Sequence, residues 1–172
     1  MNKQKGFTLI EMLVVIAIIA ILAGAVLIAI NPAETMRKSR DSTRLSDMDT
    51  LRSAINMALA EGEITLTNLD GVKRDSGTFT QAADGINGYI VYTKVDPAGP
   101  GLAKYIPALP KDPINDDGVH VYTFSSTASD YEINARLEST SNTEKMLNDG
   151  GNDDAVFEVG TNLTLIDLVT GD

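Results

Sequence analysis

The sequence predicts an α+β chain in which a long amino-terminal helix leads into a small antiparallel β-sheet domain. Three observations carry that prediction. Nineteen consecutive residues, Met12 to Ile30, carry no charge and are mostly Ile, Val, Leu and Ala. The stretch that follows, to about Glu61, has apolar residues at helical spacing, and short alternating segments separated by Gly, Pro, Asp and Ser fill the rest.

The apolar run comes first. Extended back to Phe7 it makes a helix of about 36 Å at about 1.5 Å per residue, long enough to cross a hydrocarbon core of about 30 Å. The six residues before it, Met-Asn-Lys-Gln-Lys-Gly, are polar and basic and stop at Gly6. A secretory signal is cut after its apolar core, so this leader is of another kind. One carboxylate, Glu11, sits at the start of the run. Thr8 and Glu11 have the spacing of a capping box, and a first-turn acid also suits the helix dipole. An acid in lipid otherwise costs several kcal/mol and marks a functional position.

At Ile30-Asn31-Pro32-Ala33-Glu34 the residues predict a break and a second helix: Asn31 can cap, and Pro32 is tolerated only in the first turn. From Ala33 to Glu61, Met48, Leu51, Ile55, Ala58 and Leu59 form one stripe, expected to pack on a sheet. Arg44, Asp47, Asp49 and Arg52 are expected on a solvated face. Gly71 to Gly88 reads as an exposed connection containing a short edge segment at Thr78 to Thr80. Tyr89 to Val95 reads as a strand, and Tyr105 to Pro113, with three prolines, as irregular.

Two further strands follow. Val119 to Phe124 alternates, and Asp130 to Glu138 alternates better, with Tyr131, Ile133, Ala135 and Leu137 on one face and Glu132, Asn134, Arg136 and Glu138 on the other. They are expected to be antiparallel neighbours with the apolar face on the helix stripe. After Ser139 come a polar connection, the run Asp149-Gly-Gly-Asn-Asp-Asp154, and short segments at Val156 to Val159 and Leu163 to Leu168.

Composition limits the chemistry. At 172 residues there is room for one membrane helix and one modest domain. There is no cysteine to form a disulfide or act as a nucleophile. The net charge is −10, and from Pro107 onward thirteen acids face only Lys111, Arg136 and Lys145, which argues against nucleic-acid binding by this surface. His120 is the only histidine and sits in a strand pattern. No phosphate loop, histidine metal pair or nucleophile elbow is present, so an enzyme is not expected.

Gly6-Phe7-Thr8-Leu9-Ile10-Glu11 followed by about twenty apolar residues resembles the signal of type IV pilins and of the pseudopilins of type II secretion. The resemblance implies four segments: a leader at 1–6, a transmembrane and filament-core helix at 7–30, an amphipathic stem at 31–61 and a β-rich head at 62–172. It implies cleavage between Gly6 and Phe7 by a prepilin peptidase, N-methylation of Phe7, and a role for Glu11 in assembly against the Phe7 amine of a neighbouring subunit. The implied partners are other copies, the peptidase and an inner-membrane assembly platform, with the head outside the cytoplasmic membrane and then in an extracellular filament or periplasmic pseudopilus. Leu109 to Pro113 and the strands after it are similar to the major pseudopilin head, which holds calcium in a carboxy-terminal loop. No cofactor is required on this reading. Asp149, Asn152, Asp153 and Asp154 offer the hard oxygens calcium prefers, with Asp116 and Asp117 as outlying candidates. A pilus subunit is the first expectation and a secretion pseudopilin the second; a membrane-anchored enzyme or binding protein is a distant third. By flanking charge alone, Arg37, Lys38, Arg40 and Arg44 outnumber Lys3 and Lys5 and would put the head inside; the leader signature sets the opposite orientation.

Overall fold

The computed structural model describes residues 6–115 and 118–166, without the side chains of residues 27–29. Most of the leader, with Lys3 and Lys5, lies outside the described residues. So do Asp116 and Asp117 and the end of the Leu163 to Leu168 segment. The chain divides into two compact units, one ending at Met36 and one beginning at Arg37.

In the first unit, α1 runs from Leu9 to Ile30. Thr8, in extended conformation, caps it, and the capping box with Glu11 is closed in both directions. Asn31 ends α1 in the left-handed region with φ 43°, where asparagine is tolerated because its side chain bonds locally. Its Oδ1 then accepts the amide of Glu34 at 3.3 Å. The residue that closes α1 therefore also caps α2, Pro32–Ala60, whose first position is proline.

The second unit holds the rest of α2 and the β elements. α2 ends in a Schellman motif: the Glu63 amide donates to the Ala58 carbonyl at 2.9 Å and that of Gly62 to Leu59 at 3.1 Å, with Gly62 at φ 69°. The strands are β1 (Ile64–Leu66), β2 (Arg74–Asp75), β3 (Tyr92–Lys94), β4 (Thr123–Ser126), β5 (Tyr131–Ala135) and β6 (Phe157–Gly160). They form two antiparallel sheets, β1-β3 and β2-β4-β5-β6, rather than one. The segment from Tyr89 supplies only the short β3, and β2 precedes the expected edge at Thr78 to Thr80. A short helix, α3 (Thr143–Leu147), interrupts the polar connection after β5.

The core joins α2 to both sheets. Of the predicted stripe, Met48, Leu51, Ile55 and Ala58 are buried with Tyr89, Tyr122, Phe124, Tyr131 and Ile133 in one core, and Leu59 is partly buried against it. Two tyrosines fasten the sheet to the helix by their hydroxyls: Tyr122 Oη donates to Asp47 Oδ2 at 2.7 Å and Tyr131 Oη to Asn56 Oδ1 at 2.9 Å. Burial pushes the Tyr131 hydroxyl up to about 12, so it stays a donor at any physiological pH.

Two expectations are corrected here. Arg44 is not on a solvated face; it is fully buried, together with Asp41. The polar face of β5 is not solvated either, because Glu132 and Asn134 are 0% and 1% exposed. The tail folds back over one end of that face, and the amides of Leu165 and Ile166 donate to Glu132 Oε2 at 2.6 and 3.0 Å.

Candidate functional site: the amino-terminal segment

Gly6, Phe7 and Thr8 are exposed and outside any regular element, so the Gly6–Phe7 peptide bond lies in open backbone immediately before the cap. No neighbouring atom approaches within 4 Å of where a Gly6 Cβ would stand. Phe7 is 80% exposed. The Glu11 carboxylate turns back toward this segment: its Oε2 accepts the Thr8 amide at 2.7 Å and the Thr8 hydroxyl at 2.9 Å, while Thr8 Oγ1 accepts the Glu11 amide at 3.3 Å. In the single chain the acid is therefore engaged by its own first turn.

Beyond Glu11 the helix has no polar face. From Leu9 to Val26 its mean hydropathy is 2.9 and none of it is buried in the chain. A helix hydrophobic all round belongs in lipid or inside a larger assembly. It is long and apolar enough to cross a membrane.

The acidic loop after α3 is built differently from the expected cage. Asp149 Oδ1 accepts the Gly151 amide and its Oδ2 the Glu158 amide, each at 2.9 Å. Asp153 Oδ1 accepts the Ala155 amide at 2.9 Å. With its side-chain amide turned over, Asn152 donates to Glu158 Oε1 at 3.1 Å and to the Leu163 carbonyl at 2.9 Å, and Asp154 is exposed. Among the described residues no three carboxylate or imidazole groups come together to hold a metal. The residue that organises the loop is Glu158, which the sequence reading passed over. It is 2% exposed, and its Oε2 accepts the Asp153 amide at 3.1 Å. It also reaches the buried Glu132, and desolvation first, then this neighbour, pushes its carboxyl up to about 8. A Cβ on Gly151 would collide with the Glu158 carboxylate, so only glycine lets the loop pass over it.

An apolar helix exposed from Leu9 to Val26, with an acid capped onto an open Gly-Phe segment, therefore precedes the α+β domain. The family profile described as "Prokaryotic N-terminal methylation motif" matches residues 1–27. The chain is 43% identical over 63 residues to "Fimbrial protein Q" of Moraxella bovis, covering 37% of this chain and 39% of that protein. It is equally identical over the same length to "Type IV major alpha-pilin" of Moraxella bovis, covering 38% of that protein. With "Fimbrial protein EcpB" of Eikenella corrodens it shares 38% over 78 residues, 44% of this chain and 48% of that one. The matches thus span less than half the length of these relatives. No solved structure matches significantly. The likeness to fimbrial and type IV pilin proteins is thus confined to part of the chain, and the methylation-motif match to its first 27 residues.

Proposed function

We propose that the chain is a structural subunit of a type IV pilus-like filament, not an enzyme, made as a prepilin and cut between Gly6 and Phe7 by a prepilin peptidase. What supports this most is the combination of the methylation motif with a helix whose apolar surface from Leu9 to Val26 is left uncovered by the chain itself. Before assembly that surface would face membrane lipid, with the head outside; after assembly on an inner-membrane platform it would face the helices of other copies. Cleavage would create a positive amine at Phe7, methylated by the same enzyme. Glu11 would then exchange its bonds to Thr8 for the Phe7 amine of a neighbour. Opposite charges about 4 Å apart at an effective dielectric of about 20 attract by about 4 kcal/mol, enough to set the register of packing in a dry core. The printed names of the relatives favour a pilus over a secretion pseudopilus.

Glu11→Ala tests the role of the acid. The variant is expected to insert in the membrane normally while the yield of sheared filaments falls at least about tenfold, the effect of losing about 1.4 kcal/mol per docking step. Filaments formed in normal yield would reject the charge pairing.

Calcium binding by Asp149, Asn152, Asp153 and Asp154 is a separate proposal. It requires the ion to displace backbone amides that those carboxylates now accept. In chelator-treated full-length protein, a melting temperature that climbs and saturates with added calcium supports it; an unchanged melt rejects it.

A further inference from the structure

The turn between β6 and the segment that roofs Glu132 is pinned at both ends. Upstream, the Thr161 amide donates to the Tyr131 carbonyl at 3.0 Å, and Thr161 Oγ1 accepts the Tyr131 amide at 3.0 Å. Downstream, the amides of Leu165 and Ile166 close on Glu132. Between these anchors stands Asn162-Leu163-Thr164. Of the chain's asparagines, only Asn162 has a hydroxyl residue two places on, and the residue between is not proline, which is the spacing of an N-glycosylation acceptor. So short a motif also arises by chance, and the geometry of this copy is what carries weight.

Thr164 fixes which end of the Asn162 carboxamide is offered. Its amide and its hydroxyl both donate to Asn162 Oδ1, at 3.2 and 2.9 Å. The carboxamide oxygen is thereby turned onto the chain. Among the described residues its nitrogen, Nδ2, has no partner, and unlike the amide of Asn134 it is not sealed from solvent. Thr161 and Thr164 on either side are exposed, and Asn162 itself is half-buried. A bulky polar group on Nδ2 would therefore break no hydrogen bond that the fold uses.

We propose that Asn162 is the acceptor of an N-linked glycan, transferred from a lipid-pyrophosphate-linked sugar on the outer side of the membrane. The site rests on the reading that the head is exported. Transfer forms a bond from Nδ2 to the anomeric carbon of the sugar and breaks that carbon's bond to the pyrophosphate oxygen, which leaves with the electron pair. The proton lost from Nδ2 goes to a base of the transferase. Thr164 presents the nitrogen, and the two anchors hold the modified turn at the surface, where a glycan adds solubility.

Mass spectrometry of the full-length chain from cells that make it naturally tests this, with fragmentation of the peptide that carries Asn162. A sugar is expected on that residue. Asn162→Gln and Thr164→Ala should each lose the added mass, whereas Thr164→Ser, which keeps the hydroxyl, should retain it. An unmodified Asn162 overturns the proposal: on chains that begin at Phe7 the pilin reading stands without it, and on chains that begin at Met1 both fail. A sugar attached to Thr164, or one that survives Asn162→Gln, overturns it as well.

Discussion

Arg44→Ala is expected to destabilise the head by about 3–5 kcal/mol, as removal of one partner from a buried ion network generally does. Arg44 is the hub of five charges. Its Nε and Nη2 meet Asp112 Oδ2 and Oδ1 at 2.5 and 2.8 Å, and its Nη1 meets Asp41 Oδ1 at 2.9 Å and Glu138 Oε1 at 2.6 Å. Arg40 adds a two-pronged contact to Glu138 at 2.7 and 2.5 Å. Asp41 in turn accepts the amides of Glu138 and Ser139 and the side chain of Asn142, which ties α2 to the chain leaving β5. Without the guanidinium, Asp41 and Asp112 remain as buried acids with no cation. The double variant Arg44→Met with Asp112→Leu should recover part of the loss, because it removes charge from both sides. Denaturant unfolding of the two variants measures this; equal losses would show that the network acts by shape alone. The same pairing buries the charge of Arg44 and ties that of Arg40, which stays partly exposed, to Glu138, so neither is a free flanking charge of the kind that sets membrane orientation.

Raising the pH from 5 to 8 is expected to weaken the head through Glu158. Its carboxyl is pushed up from 4.5 to about 8 by burial and by Glu132. Across that window the folded chain keeps a proton that the unfolded chain has lost, so stability falls as pH rises, by about 1.4 kcal/mol per unit at the steepest. Glu158 thus contributes most at or below pH 4.5, and its contribution is lost as the pH rises toward 8. Glu138 acts in the opposite direction. The hydrogen bonds from Arg40, then Arg44, hold it down to about 2, so its contribution is present above 4.5 and is lost as pH falls toward 2. The two groups together predict a stability maximum near pH 4.5 to 5. Glu158→Gln replaces the titrating carboxyl with an uncharged amide of the same size beside Glu132. It should flatten the alkaline side, leaving the variant more stable than wild type at pH 8. Melts of both proteins between pH 4 and 9 in chelator decide it; parallel curves would show that the Glu158 carboxyl does not hold its proton above pH 5.

The parts legible in the sequence are those whose causes are local. The uncharged run, the Thr8-Glu11 box, the Asn31-Pro32 break and the stripe from Met48 to Ala58 are each written in a few neighbouring residues. The antiparallel pairing with β5 could be read from alternation, but β4 lies at Thr123–Ser126, later than the Val119 to Phe124 expected, and takes Ser125 and Ser126 from the expected turn. The misplaced features depend on distant chain. Alternation put Glu132 and Asn134 on a wet face, and only the return of Leu165 and Ile166 covers Glu132. Arg44 had a signal that charge obscured: Asp41, Arg44, Met48, Leu51, Ile55 and Ala58 continue one three-and-four spacing, and all six are buried. Asp112, its main partner, lies in the proline-rich stretch, where no periodicity points to a contact. Glu158 has no local signal of its own: it follows an acidic run, and its environment is made by β5.

At the amino terminus the residues and the expected processing coincide, and one measurement bears on the whole account. Mass spectrometry of the mature chain from cells that possess a prepilin peptidase should find it beginning at Phe7 with one added methyl group. A mature chain that still begins at Met1 would contradict it and leave an ordinary membrane-anchored protein.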